Sequence, residues 1–337
     1  MEFFNILIIQ TAFLGDVVLI TPLIRASKAL FPQAKIDVLV IPQTREVLAN
    51  NPFIENILTF DKRKNKLFSL AKTIGQLRSN KYDLAISPHS SVTTASIMLL
   101  SGIKQRLGFD RGLAAKFLTF KVPHLSNGHK IQKNLFLLSA FGERQFSQQT
   151  ELYPDGSAEA KLDQILASLP FNNRPLIAVS PGSAWATKRW PLSHYAHLSR
   201  LLYDKKYNLI FTGSAQEHLL CHDIILKSGA EALNFAGSLS ILETAAVIKK
   251  CNLMICNDSG ALHLANAMQT DVFAFFGPTV RSFGYFPFRK NDHIFETELS
   301  CRPCGSHGGK TCPLGHFKCM TEIKAETVFE AVVRKLK

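Results

Sequence analysis

Two stretches of this chain hold residue types at spacings that suit chemistry. The first is Cys256-Asn257-Asp258-Ser259-Gly260-Ala261-Leu262-His263. It continues the apolar run Leu253-Met254-Ile255, which reads as a buried parallel strand, and leads into the alanine-rich segment 261–267, suited to a helix. Asp258 and Ser259 then stand where such a helix is capped, and Gly260 lets a ligand approach the backbone. The free N–H groups of a helix N-terminus accept a phosphate; the alternative is a plain strand-to-helix turn of the same composition. The second stretch is Cys301-x2-Cys304-x7-Cys312-x6-Cys319, with His307 and His316 among the cysteines. In a reducing compartment such a cluster more often means a metal than disulfides. Four thiolates suit a structural, tetrahedral Zn²⁺, the alternatives being an iron–sulfur cluster, one or two disulfides, or free thiols. Segment 300–321 has little apolar content of its own for such a clip to supplement. Cys221, Cys251 and Cys256 are scattered and read as small buried apolar residues.

The elements that must position these residues follow from length and patterning. At 337 residues the chain is long for one core, so two domains are expected. Hydrophobic content of 46% with 19% charge excludes a disordered chain. No run of eighteen apolar residues is present, so no transmembrane helix is expected. The start, Met1-Glu2-Phe3-Phe4-Asn5, lacks the basic segment of a signal peptide, and a cytoplasmic location is expected. The net charge of +13 invites an anionic partner: nucleic acid, an anionic membrane face or a phosphorylated small molecule. Its densest point is Lys62-Arg63-Lys64 with Lys66, beside Leu67-Phe68, which reads equally as a solvated face. No helix-turn-helix, RNA-binding signature or repeat accompanies the charge, so no nucleic acid is expected.

Short apolar runs alternate with amphipathic ones. Strands are expected at 6–9, 36–41, 57–60 and 84–87, with helices at 16–31 (kinked at Pro22), 67–77 and 91–100. Residues 108–128 show no clear period and read as surface loops. Helical patterns at 131–141 and 158–169 precede a linker at 170–175, rich in Pro and Asn. The alternation then restarts, with strands at 176–180, 209–212, 233–236, 253–256 and 272–276 and helices at 194–202, 215–227 and 241–249. This predicts an α/β chain of two Rossmann-like, doubly wound domains, 1–170 and 171–337, facing across a cleft. Ligands bind at the carboxyl ends of their strands, and the last helix is free to pack back on the first domain.

Several chemistries drop out. The G-x-G-x-x-G fingerprint is absent, against the usual nicotinamide or flavin enzymes, and no G-x-S-x-G elbow marks a hydrolase. Gly309-Lys310-Thr311 imitates the end of a P-loop, but Cys304 stands where the first glycine belongs. No Asp-x-Asp pair is available to hold a sugar nucleotide through a divalent metal.

The remaining motifs resemble one family. Ile8-Ile9-Gln10-Thr11-Ala12-Phe13-Leu14-Gly15-Asp16-Val17-Val18, with Thr21-Pro22, resembles the start of the ADP-heptose:lipopolysaccharide heptosyltransferases, glycosyltransferase family 9. Ser180-Pro181-Gly182-Ser183-Ala184-Trp185-Ala186-Thr187-Lys188-Arg189-Trp190-Pro191 is similar to that family's donor-phosphate loop. Phe211-Thr212-Gly213-Ser214-Ala215, the 257–263 stretch and Phe276-Gly277-Pro278-Thr279 are similar to later motifs, in the expected order. The likeness spans nearly the whole chain and is nearest to the heptosyltransferase II branch.

The resemblance implies a GT-B glycosyltransferase with the nucleotide sugar in the C-terminal domain and the acceptor mostly in the N-terminal one. It also implies inversion at the sugar and no cofactor for catalysis. ADP-heptose is the implied donor, heptosyl-Kdo-lipid A the acceptor, and the cytoplasmic face of the inner membrane the place of work. Lys188 supplies a cation and Ser183 a hydroxyl for the diphosphate, beside the helix N-terminus at Ser259-Gly260. The family pattern puts the catalytic base at Asp16, whose alternative role is helix capping. Asp258 and His263 match donor-contacting positions, and Glu217 matches a contact to the adenosine ribose or a solvated helix-start carboxylate. Other readings are a basic, zinc-containing nucleic-acid-binding protein, an epimerase-like nucleotide binder, and a transferase of the same fold using another nucleotide sugar.

Overall fold

Val, Ile, Leu and Phe dominate the strand segments, and strands buried on both faces pair in parallel when helices connect them. A computed structural model of the chain describes residues 2–62, 66–156, 166, 171 and 173–337. The chain divides into two units, Met1–Tyr153 and Pro154–Lys337, and each holds one six-stranded sheet in which every pairing is parallel.

In the first unit the strands are β1 (Asn5–Gln10), β2 (Lys35–Val40), β3 (Asn56–Thr59), β4 (Leu84–Ser87), β5 (Gln105–Phe109) and β6 (Phe120–Val122), in the order β3-β2-β1-β4-β5-β6. In the second they are β7 (Leu176–Ser180), β8 (Asn208–Phe211), β9 (Ala232–Asn234), β10 (Leu253–Asn257), β11 (Val272–Phe276) and β12 (His293–Glu296), in the order β12-β11-β10-β7-β8-β9. Both orders reverse beside the first strand, so β1/β4 and β7/β10 are the switch points where loops part and leave room for a ligand. This is the doubly wound architecture that the strand–helix alternation predicts.

The long helix expected over 16–31 is two helices, Leu14–Val18 and Thr21–Leu30. Pro22 has no N–H to donate to the Val18 carbonyl, and Thr21 Oγ1 donates to it instead, at 2.9 Å. Pro22 then sits in the first turn of the new helix, where its missing donor costs nothing. Residues 108–128 are not all loop, since they hold the end of β5, a 3₁₀ turn at Leu113–Phe117, and β6. A three-residue strand such as Phe120-Lys121-Val122 alternates too briefly for its period to show. The helix expected at 158–169 lies outside the described residues, apart from Ile165's neighbour Leu166.

Each unit has its own core. Leu7, Ile9, Leu39, Ala85 and Met98 belong to that of the first unit, Ile177, Val179, Phe211, Ile255 and Phe275 to that of the second. The final helix, Ala325–Lys335, buries Val328 and Val332 in the second core. Trp190 stacks on Phe275 at 4.2 Å between ring centroids and donates its indole N–H to Ile323 O, at 3.0 Å. This fixes the end of the 181–190 loop against the sheet.

Candidate active site

β10 ends at Asn257, and the chain turns through Asp258 and Ser259 into the helix Gly260–Ala267. Ser259 is the N-cap residue, but its hydroxyl makes no capping bond to the N–H groups of the first turn. Asp258, expected to share the capping, turns elsewhere. Its Oδ2 accepts from Lys188 Nζ and from Thr279 Oγ1, each at 2.6 Å. The Lys188 and Asp258 side chains are only 13% and 7% exposed, so this ion pair is largely shielded from water. One of the three N–H groups of Lys188 serves Asp258; the ammonium stands beside a helix N-terminus with its charge already balanced.

Asn257, fully buried, holds the neighbouring loop. Its Nδ2 donates to Pro181 O at 2.8 Å and Gly182 O at 3.1 Å, while Oδ1 accepts from Trp190 N at 2.9 Å and the Tyr195 hydroxyl at 3.1 Å. Ser183 is buried in that loop. Its hydroxyl accepts from Trp185 N at 3.4 Å, and its carbonyl takes two bonds from the Arg189 guanidinium, at 2.9 and 2.7 Å. Glu217 Oε2 accepts from Ser214 N and Oγ at 2.7 and 2.9 Å in a capping box, and its carboxylate fills the space a side chain on Gly182 would need. His263 is buried in the second turn of the helix, edge-on to Tyr285 at 6.4 Å between ring centroids. Lys188, Asp258, Ser259 and Gly260 therefore meet at one point, with Ser183 and Glu217 on the loops that border it.

Sequence reasoning passed over Asn257 and Thr279, although both lie inside motifs it singled out. The available signal was a polar residue closing an apolar strand: such a side chain is buried and must find partners.

In the first unit, parallel strands bring their carboxyl ends to one edge. Asp16 lies in the first turn of the helix Leu14–Val18 after β1, whose N-cap residue is Phe13, so Asp16 is not the cap. His89 follows β4, Arg111 follows β5 and His124 follows β6. Lys130 opens the helix Lys130–Phe136, and its Nζ donates to Pro88 O at 3.2 Å. Lys62 Nζ donates to Thr11 O at 2.8 Å, just past β1. Arg111 Nη1 lies 3.2 Å from His124 Nε2. Burial lowers the pKa of Lys130 and of His89, and in both cases the Asp16 carboxylate acts the opposite way. Burial and the nearby Arg111 lower the pKa of His124 as well, so the positive charge near Asp16 comes from Lys130 and Arg111, an arrangement suited to an anionic ligand bearing a hydroxyl.

The cysteines of 300–321 are free thiols. Cys304, Cys312 and Cys319 line one small cavity, and Cys301 Sγ lies 4.0 Å from His316 Nε2. Among the described residues, no three His, Cys, Asp or Glu side chains form a ready-made group for a metal ion.

Comparison with known proteins adds to this geometry. The model of glycosyltransferase family 9 (heptosyltransferase) matches residues 70–316. Lipooligosaccharide heptosyltransferase 2 of Campylobacter jejuni is 28% identical over 327 residues, covering 95% of each chain. Lipopolysaccharide heptosyltransferase 3 of Escherichia coli K12 is 29% identical, covering 83% of this chain and 81% of the relative. Among solved structures, that of E. coli ADP-heptose lipopolysaccharide heptosyltransferase II superposes with a TM-score of 0.80 at 23% identity, over 100% of this chain and 98% of the other.

The shielded ion pair makes a stability prediction. Lys188→Ala leaves the Asp258 carboxylate without its cation and should cost roughly 3 kcal/mol, the low end for a broken buried pair. Lys188→Met with Asp258→Asn should recover much of the loss. Denaturant melts check both, and a single variant as stable as the parent contradicts the pairing.

Proposed function

The chain belongs to glycosyltransferase family 9, the heptosyltransferases, and from that premise we propose that it moves a heptose from ADP-heptose to the inner core of lipopolysaccharide, with inversion at the sugar. We read the acceptor as heptosyl-Kdo-lipid A, so that the product carries a second heptose, in line with the heptosyltransferase 2 relative. The observation that carries this reading is the Lys188–Asp258–Thr279 group beside the helix N-terminus at Ser259. Departing ADP leaves with the charge of two phosphates, and a lysine together with backbone N–H groups suits that charge.

In the proposed reaction Asp16 takes the proton of the acceptor hydroxyl. The oxygen bonds to the anomeric carbon on the face opposite ADP, the bond from that carbon to ADP breaks, and ADP leaves with the electron pair. Ser183, Ser259 and Gly260 bind the diphosphate with Lys188, Asp258 and His263 hold the heptose side of the donor, and Glu217 borders the ribose. Arg111 and Lys130 supply positive charge for the anionic acceptor, and His89 and His124 stand beside them as neutral hydrogen-bonding groups.

We further propose that the protein works at the cytoplasmic face of the inner membrane. No helix among the described residues is long and apolar enough to cross a membrane. Lys62, Arg63, Lys64 and Lys66 are our candidates for contact with anionic lipid, at ~1 kcal/mol per charge near the surface; Arg63, Lys64 and the side chain of Lys66 lie outside what the structure describes. Flotation with anionic vesicles should weaken as salt rises, and binding that ignores salt contradicts the proposal. A structural zinc at Cys301, Cys304, Cys312 and Cys319 is also a proposal, and it requires the metal to draw the thiols together. Elemental analysis of anaerobically prepared protein should give close to one metal per chain; none in protein from metal-replete cells contradicts it.

The mechanism itself is tested at Asp16. Asp16→Asn keeps the shape but removes the proton acceptor, so turnover should fall about 10²–10⁴-fold. ADP binding should hardly change, since Lys188 lies in the other unit. Full turnover in this variant removes Asp16 as the base.

A further inference from the structure

The proposed chemistry makes no use of the cysteine-bearing segment 300–321, yet that segment lies directly on the loop that carries Lys188. Thr187 N donates to Gly309 O at 3.1 Å. The Thr187 hydroxyl donates to the same carbonyl at 3.1 Å and accepts from Gly309 N at 2.8 Å. Gly308 has φ +85°, and a Cβ there would meet Thr187 Oγ1, Lys188 Cγ and Trp185 Cβ at 3.1–3.3 Å, so its backbone rests against the lysine stem. Elsewhere in the segment, Cys304 N donates to Pro278 O at 3.0 Å. The buried Arg302 guanidinium donates to Phe276 O at 3.2 Å and to Thr279 O at 2.9 Å. One segment therefore braces both partners of Asp258: Lys188 through Thr187, and Thr279 through Arg302 and Cys304.

We propose that Thr187, clasped to Gly309, is a positioning residue that fixes Lys188 for the donor diphosphate, with 300–321 as its strut. The proposal rests on the reading that Lys188 meets that diphosphate. A lysine side chain has four rotatable bonds and loses that freedom when it binds a phosphate. Packing Gly308 on its stem and tying its neighbour by three hydrogen bonds removes the freedom beforehand, so less affinity is lost on binding.

The test is titration of ADP into the parent, Thr187→Val, Thr187→Ser and Lys188→Ala, with donor and acceptor KM measured alongside. Thr187→Val keeps the shape but loses the hydroxyl. It should bind ADP about tenfold more weakly, of the order of one or two hydrogen bonds, and should raise the donor KM while leaving the acceptor KM in place. Thr187→Ser should restore both. A purely structural role for the hydroxyl lowers the melting temperature and leaves ADP affinity at parent level in the folded protein, which overturns the proposal. Lys188→Ala separates the two layers: if it binds ADP like the parent, the donor reading fails, whereas if it is impaired and Thr187→Val is not, only the clasp fails. Should Thr187→Val not fold, Gly308→Ala crowds the Thr187 hydroxyl and the lysine stem together. It should weaken ADP binding in the same way, and parent-level binding in that variant contradicts the proposal.

Discussion

Two adjacent polar side chains at the end of one buried strand, Asn257 and Asp258, set the terms for the second unit. Both are nearly inaccessible to water, so every bond they give up on folding must be remade inside the protein. Asn257 finds its partners in the 181–190 loop and Tyr195, and Asp258 in Lys188 and Thr279. The loops after β7 and β11 are thereby tied to the end of β10 at the switch point, where a doubly wound sheet leaves room for a ligand. A buried pair of this kind adds little net stability, because desolvation of the charges offsets their attraction. What it supplies is geometry: a cation held in one place before any ligand arrives.

The two units distribute charge in opposite ways. In the second, a cation is balanced in advance by a carboxylate, and the remaining attraction for an anion comes from that ammonium and the adjacent helix N-terminus. In the first, the carboxylate of Asp16 acts on His89 and Lys130, and Arg111 stands along the same strand ends. This division matches what inverting transfer from a nucleotide sugar asks of a protein. One site must accept a leaving diphosphate, and another must hold an anionic acceptor next to a proton acceptor.

Much of this was legible in the residues. Apolar runs of strand length gave most of the strands, and the helix expected over 241–249 forms at Ile241–Lys250. The 257–263 stretch pointed to the site through its turn chemistry, and the 180–191 loop through its likeness to the family's donor-phosphate loop. The failures also have physical causes. β6 and β12 are too short or too exposed for a period to emerge, and Pro22 admits two outcomes, a kink or a new helix, between which local sequence does not decide. The link between segment 300–321 and Thr187 spans 122 positions of chain and runs largely through backbone groups, which no residue type betrays. That Lys188 and Asp258 face each other before they face a ligand is likewise a long-range fact, visible only in three dimensions.

One reaction tests the proposed transfer directly. The purified protein should be incubated with ADP-heptose, heptosyl-Kdo-lipid A and a chelator, and the acceptor weighed by mass spectrometry while ADP is counted. If Lys188 and the helix N-terminus stabilise the leaving group, the acceptor gains one heptose for each ADP released, at a rate the chelator leaves unchanged. ADP-heptose that stays intact, ADP released without gain by the acceptor, or turnover restored only by added divalent metal would each contradict it.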